Sequence, residues 1–207
     1  MHMSKSVYAY EFDNKLYINL TNACPNRCSF CIRNIKDGVN GSPLWLSKKA
    51  TYENVISAIN EFELNKYPQV VFCGFGEPTC ELKLLCEVGK YLKEQNKEIR
   101  LNTNGLSNEI NNIENSAEML RGIVDKISIS LNASTEDKYQ EICKSKIKHP
   151  LSALIKFTKQ CVTAGINTTL SVVDTIGEKE IERCREIADS LGAKLRVRAL
   201  IKENDKY

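Results

Sequence analysis

The sequence contains few histidines, one tryptophan and no long apolar segment. Of its 207 residues only two are histidine, and no run of about 18 apolar residues occurs. The N-terminus has no apolar leader segment. We therefore expect neither a transmembrane helix nor a secretory signal. Because 29 basic and 26 acidic side chains give a net charge of only +3, the charge does not indicate a nucleic-acid-binding surface spread over the molecule.

Nine cysteines are the unusual part of the composition. They are too scattered for a small disulfide-stapled protein, and a chain of this length buries a core without such staples. In the absence of a signal, many thiols favour a reducing cytoplasm, where cysteines serve metals or catalysis. We expect a cytoplasmic protein with one domain at 1–207, made of an N-terminal hairpin in 1–14 and a core at 15–201.

Short apolar runs alternate with helical periodicity along the chain, for example at 52–62 and 82–92. Alternation of this kind predicts parallel strands with right-handed crossovers. Six strand–helix units are too few for a closed eight-stranded barrel, so an open doubly wound sheet and a partial barrel both remain. The runs that predict buried strands are Lys15–Leu20, Gln69–Gly74, Glu98–Thr103, Lys126–Leu131, Thr168–Val173 and Lys194–Leu200.

Three cysteines follow the first of these strands at the spacing C-x₃-C-x₂-C, namely Cys24, Cys28 and Cys31. Parallel α/β folds place their chemistry at this end of a strand. Three soft ligands suit either an iron–sulfur cluster or zinc. A 4Fe–4S cluster would keep one iron open, whereas structural zinc needs a fourth protein ligand. No such ligand lies nearby, because the only histidines are His2 and His149.

A glycine motif, Gly74-Phe75-Gly76-Glu77, follows the second predicted strand. Glycine lets a ligand approach the backbone closely. Carbonyls and the Glu77 carboxylate only accept hydrogen bonds, so the motif suits a ligand that carries an ammonium group. On its own, the motif is equally consistent with a tight turn between strand and helix.

Together the two motifs resemble those of the radical SAM superfamily, with Phe30 as the aromatic residue of the cysteine loop. The resemblance covers about Tyr17 to Ile201 and implies a partial (β/α)6 barrel. It implies two cofactors, a 4Fe–4S cluster and S-adenosylmethionine (SAM), and a reductant such as flavodoxin or ferredoxin. One electron from the cluster would cleave SAM to a 5′-deoxyadenosyl radical, which would abstract hydrogen from a substrate.

The resemblance also implies residue roles. Cys24, Cys28 and Cys31 would hold the cluster, and no catalytic residue beyond the cofactors is implied. Asn102 and Asn132 stand where glycyl-radical activating enzymes carry acids beside a cation, which puts such a cation site in doubt. The residues expected to contact SAM are Phe30, Gly74, Phe75, Gly76, Glu77, Asn102, Asn104, Ser130, Asn132 and Arg198.

The closest resemblance within the superfamily is to a small group named for its association with TatD nucleases. It rests on Leu44-Trp45-Leu46, on Phe72 to Thr79 and on Leu101 to Gly105. This group supplies no substrate. Two alternatives stay open: a zinc-stabilised binding domain without activity, and an activating enzyme that makes a glycyl-type protein radical.

The chain continues only to residue 207 after the sixth strand, and no second cysteine cluster follows the core. We therefore expect no auxiliary C-terminal domain and no membrane partner. An uncovered barrel predicts a large substrate (protein, peptide or RNA) or a partner that covers the site. The stretch Ile32–Ala50 is expected to lack regular structure. Within it, Trp45 either contacts a partner or packs back onto the barrel.

Overall fold

Seven strands form one sheet in the computed structural model, which describes residues 6–202 and 205. The strands of the described chain are β1 (Ala9–Phe12), β2 (Lys15–Ile18), β3 (Gly38–Val39), β4 (Ser42–Pro43), β5 (Gln69–Phe72), β6 (Glu98–Thr103), β7 (Lys126–Ser130), β8 (Asn167–Val173) and β9 (Lys194–Arg198). The helices are α1 (Tyr52–Ile59), α2 (Leu82–Glu94), α3 (Ser107–Asn111), α4 (Ala117–Leu120), α5 (Glu136–Cys143), α6 (Pro150–Thr163) and α7 (Glu178–Ser190). Within the described residues, no helix is long and apolar enough to cross a membrane.

The sheet order is β1-β2-β5-β6-β7-β8-β9, and every pair is parallel except β1 with β2. Six parallel strands with helical crossovers form a partial (β/α)6 barrel, which confirms the predicted architecture. In the described chain β1 and β9 are the two outer strands and do not pair with each other. The barrel is therefore open on one side.

The hairpin of β1 and β2 closes through Asp13 and Asn14. Both residues have positive φ, at 48° and 54°. Two successive residues with positive φ form the type I′ turn, whose twist matches that of the flanking strands. Phe12 then pairs with Lys15, and Ala9 pairs with Ile18, which fixes the register of the outer strand.

Alternating side chains divide the sheet into two faces. The helix-side face carries the main core, with residues such as Leu16, Phe72 and Leu101 fully buried against the helices. The concave face carries a second cluster, which we call the concave cluster. Its buried members are Tyr10, Tyr17, Val39, Leu44, Val71 and Phe75. Because the strands alternate, the residues next to the core residues face the inside of the barrel.

The segment 32–50 is more ordered than predicted. It contains a 3-10 turn at Ile32–Asn34 and a short ribbon of β3 with β4. Leu44 is buried in the concave cluster, while Trp45 stays 42% exposed. The Trp45 ring packs edge-on against Phe75, with 5.1 Å between centroids. Leu44 therefore anchors this segment, and Trp45 lies on the rim beside the glycine motif.

An ion pair ties the start of α7 to the segment that follows β7. Glu180 is only 5% exposed, forms an ion pair with Lys138 and accepts a hydrogen bond from Ser134 N at 2.8 Å. Burial alone would raise the pKa of this carboxyl, but its partners lower the pKa from 4.5 to about 2. Glu180 thereby holds the segment that carries Asn132.

Replacing Glu180 with glutamine is expected to destabilise the fold by about 2 kcal/mol at neutral pH, since a buried carboxylate loses charged hydrogen bonds. The folded pKa lies below the unfolded pKa, so the advantage of the wild type is present above pH 4.5 and is lost as the pH falls towards about 2. Urea unfolding of both proteins across this range measures the difference. An advantage that persisted unchanged at pH 2 would contradict the assignment.

Candidate functional site

The cysteine loop and the glycine motif meet at the carboxyl edge of the sheet. The loop follows β2, and the motif follows the neighbouring parallel strand β5. Two backbone hydrogen bonds join them, from Gly76 N to Thr21 O at 3.0 Å and from Glu77 N to Ala23 O at 2.8 Å. The motif is therefore held directly against the start of the cysteine loop.

The Glu77 carboxylate joins the glycine motif to the turn that follows it and to the end of β6. Its Oε1 accepts hydrogen bonds from the hydroxyls of Thr79 and Thr103, each at 2.7 Å, and from Thr79 N at 3.1 Å. Its Oε2 accepts one from Asn104 N at 2.7 Å. Burial raises the pKa of this carboxyl, while these hydrogen bonds oppose the shift. Oε1 is thus filled by protein donors, and Oε2 keeps a lone pair for a further donor.

Asn104 connects this network to the first cysteine. Its Nδ2 donates to Cys24 Sγ at 3.9 Å, and its Oδ1 accepts from Leu106 N at 2.9 Å. The structure therefore brings Cys24, Glu77 and Asn104 together from three different strand ends. These are three of the residues that the sequence assigns to one site.

The three thiols of the loop are partly buried and lie near the Arg33 guanidinium. Burial raises the pKa of Cys24 to about 11 and also raises that of Cys31. The pKa of Cys28 is raised by a hydrogen bond with Cys143 and by burial. The Arg33 guanidinium opposes these shifts at all three thiols. Arg33 also donates to Asn26 O at 2.9 Å, which fixes it under the loop. Sequence reasoning missed Arg33, whose signal is a cation two residues after the last cysteine.

Asn102 and Ser130 lie on the concave face, because Leu101 and Ile129 next to them pack into the helix-side core. Arg198 lies on the same face, since Leu195 of β9 packs against that core and side chains alternate along the strand. The Asn102 side chain lies close enough to Cys73 to lower the pKa of its thiol. Arg198 is close enough to the same thiol to lower its pKa, although burial raises that pKa more strongly. These side chains therefore converge on the inside of the barrel below the glycine motif.

The other assigned residues differ in their surroundings. Phe75 is buried in the concave cluster, while Phe30 is half-buried on the cysteine loop. Asn132 is buried with φ of 61°, and its Nδ2 donates to Cys143 Sγ at 3.4 Å. Its Oδ1 is also buried, and no donor in the described part of the chain reaches it.

The two glycines of the motif leave no room for a side chain. A Cβ at Gly76 would lie 2.2 Å from Thr21 O, and one at Gly74 would lie 2.0 Å from Asn19 Oδ1. Asn19 is fully buried and donates to Leu44 O at 2.8 Å. Asn19 was not singled out from the sequence, and only its position at the end of the first core strand could have indicated it.

The three thiols do not converge on one point. Among residues 6–202 and 205, no group of three His, Cys, Asp or Glu side chains is arranged to hold a single metal ion. A mononuclear zinc site needs its ligands on one centre. A 4Fe–4S cluster takes each thiolate on a different iron, so it accepts ligands that are spread along a loop. Three thiolate donors on one loop fit the ligand set of a 4Fe–4S cluster with one open iron.

The model of the radical SAM superfamily matches residues 18–191 of the chain. The comparison with curated proteins found no match. Several solved structures share the fold at low sequence identity. Streptococcus suis SuiB bound to S-adenosylmethionine has a TM-score of 0.66 at 17% identity, over 92% of this chain and 39% of that chain.

Two further structures give similar values. The FeFe-hydrogenase maturase HydG from Carboxydothermus hydrogenoformans has a TM-score of 0.65 at 17% identity, over 92% of this chain and 45% of that chain. Native anSMEcpe with bound AdoMet has a TM-score of 0.61 at 15% identity, over 92% of this chain and 53% of that chain. At these identities the likeness shows a shared fold, and this chain spans about half or less of each neighbour.

Proposed function

Since the chain belongs to the radical SAM superfamily, we propose that Cys24, Cys28 and Cys31 hold a 4Fe–4S cluster and that the chain uses it to cleave SAM. The observation that carries the proposal is the direct contact of the cysteine loop with the glycine motif, through Gly76 N and Glu77 N. The cysteine loop and the glycine motif are separate in sequence, and these two bonds hold them side by side at the carboxyl edge of the sheet.

The geometry of the thiols supports a cluster over the zinc alternative. A structural zinc ion would need a fourth protein ligand on the same centre, and the described residues offer no such arrangement. Three thiolates leave one iron of a 4Fe–4S cluster open for another ligand. Arg33 favours the thiolate forms that metal binding requires.

The proposed SAM contacts lie along the same edge and on the concave face. Glu77 Oε2 and the carbonyls near Gly74 and Gly76 would receive the amino group of SAM, because they are acceptors. Asn132 Oδ1 is a buried acceptor that still needs a donor. The remaining proposed contacts are Phe30, Phe75, Asn102, Asn104, Ser130 and Arg198.

When bound, the cluster and SAM together supply a 5′-deoxyadenosyl radical that abstracts hydrogen. The chain's own residues position the cofactors and exclude water. Phe75 and Leu44 close the concave face with apolar packing, and Trp45 covers Phe75 at the rim. Glu77 fixes the ends of β5 and β6 relative to each other.

We further propose a substrate that enters through the open side between β1 and β9. There Lys194 and Arg196 are exposed on the concave face of β9. Their positive charge would favour a protein, peptide or RNA with acidic or phosphate groups. A flavodoxin or ferredoxin of the cytoplasm would supply the electron, and membership of the TatD-associated group remains a prediction.

Electron paramagnetic resonance of the anaerobically reconstituted, reduced protein tests the cofactor proposal. We expect a 4Fe–4S signal that changes shape when SAM is added, because SAM binds the open iron. A signal that SAM leaves unchanged would contradict SAM binding at the cluster. Absence of any cluster signal, with zinc in its place, would support the binding-domain alternative.

A deuterium-labelled substrate distinguishes an activating enzyme from an enzyme that modifies its substrate directly. Deuterium would move into 5′-deoxyadenosine from the carbon that loses hydrogen. Transfer from a glycine of a partner protein indicates an activating enzyme. Transfer from another position indicates direct modification.

A further inference from the structure

A buried hydrogen-bond network lies behind the middle cysteine of the loop. Cys143, at the end of α5, is fully buried and lies beside Cys28, because the backbone N–H groups of Arg27 and Ser29, on either side of Cys28, donate to Cys143 O and Ile142 O. Asn132 Nδ2 donates to Cys143 Sγ at 3.4 Å. The Tyr139 hydroxyl also contacts Cys143, and it accepts a hydrogen bond from Asn26 Nδ2 at 3.1 Å. The network thus joins the end of β7, helix α5 and the cysteine loop.

Three backbone hydrogen bonds hold the loop against α5 independently of these side chains. They run from Arg27 N to Cys143 O at 2.9 Å, from Ser29 N to Ile142 O at 3.0 Å and from Lys146 N to Pro25 O at 3.1 Å. Because these bonds use only the backbone, a substitution of the Cys143 side chain leaves them in place. The Cys143 thiol is therefore not needed to hold the loop against α5.

The direction of each hydrogen bond follows from which of the two groups carries a proton. Asn132 Nδ2 is a donor only, so the Cys143 sulfur accepts there. A Cys28 thiolate bound to iron carries no proton, so between these two sulfurs only the Cys143 thiol has a proton to donate. The chain then runs from Asn132 through Cys143 to Cys28, and each bond polarises the next.

We propose that Cys143 is a positioning residue that donates a hydrogen bond to the Cys28 ligand sulfur and thereby raises the reduction potential of the cluster. This inference rests on the proposed function. A hydrogen bond to a ligand sulfur withdraws negative charge, which favours the reduced cluster. Cys143 is fully buried whereas Cys28 is only partly buried, so Cys143 does not compete with SAM for the exposed part of the loop.

Potentiometric titration of the cluster signal tests this inference. Cys143→Ala removes the donor and is expected to lower the equilibrium constant for reduction about tenfold, which is about 59 mV for one electron. Cys143→Ser keeps a donor and is expected to restore a potential near that of the wild type. Tyr139→Phe removes one hydroxyl from the network and should shift the potential in the same direction by less.

Cys161→Ala is the matched control, since it deletes another fully buried thiol, in α6. It should leave the potential unchanged. Equal potentials for the wild type and Cys143→Ala, at equal iron content, would overturn the inference while leaving the proposed function intact. Loss of iron from Cys143→Ala and Cys143→Ser alike would also overturn it, because Cys143 would then act as a ligand. A wild type without a cluster would overturn the proposed function itself.

Discussion

Replacing Cys28 with alanine is expected to remove the iron–sulfur cluster and to reduce 5′-deoxyadenosine formation at least about 100-fold. Removing a residue that hydrogen-bonds to a metal ligand lowers metal affinity or activity 10–100-fold, and we expect removal of the ligand itself to lower them further. Only two thiols of the loop would remain to bind iron. Iron and sulfide content, together with product formation from SAM, measures the effect.

The control for this substitution is Cys161→Ala, which shortens a buried thiol of the helix-side core. It should keep full iron content and activity apart from a modest loss of stability. Circular dichroism of both variants checks that the fold is retained. If Cys28→Ala kept the iron and activity of the wild type, Cys28 would not be a ligand.

Replacing Gly76 with alanine is expected to destabilise the protein by about 3 kcal/mol and to prevent cluster assembly. The added Cβ would lie 2.2 Å from Thr21 O and 2.7 Å from Ala23 O. Both contacts are with backbone, which cannot rotate away. The same two carbonyls accept the hydrogen bonds that hold the motif against the cysteine loop. The substitution therefore separates the two halves of the site.

Gly122→Ala provides the comparison for this effect. Its Cβ would meet nothing within 4 Å, but its φ is +74°, so only backbone strain of about 1–2 kcal/mol is expected. Urea unfolding gives the free energy of unfolding for both variants, and iron content after reconstitution reports on the site. A Gly76→Ala protein as stable and as iron-rich as Gly122→Ala would contradict the close packing of the two motifs.

The sequence predicts the sheet well because strand and helix patterns are local. Each predicted core strand begins within one residue of the observed strand, as in Glu98–Thr103. Four observed strands end one or two residues before the predicted runs do. One of them is β5, which ends at Phe72, so that Cys73 already belongs to the segment that forms the site. Helix α5 ends at Cys143, because Lys144 adopts a left-handed φ of 46°, which periodicity alone does not reveal.

The segment 32–50 could not be predicted because its order depends on distant partners. Asn40 donates to Glu11 O, and Asn19 donates to Leu44 O, across 25 or more residues. Two-residue strands have no periodicity of their own. Only the fold brings these partners together.

Much of the site could not be predicted either, because its contacts also join residues that are far apart in the sequence. Asn26 and Tyr139 are 113 residues apart, and Thr103 reaches Glu77 from another strand end. The cysteine spacing and the glycine motif are local, so the sequence indicates them directly. The residues that hold them in place are polar side chains without a distinctive pattern, and their roles follow from burial and contacts alone.

Anaerobic reconstitution with iron and sulfide, followed by incubation with SAM and dithionite, tests whether this chain holds a cluster that cleaves SAM. We expect a brown protein that converts SAM to methionine and 5′-deoxyadenosine in equal amounts. A colourless protein that contains stoichiometric zinc and leaves SAM intact would contradict it.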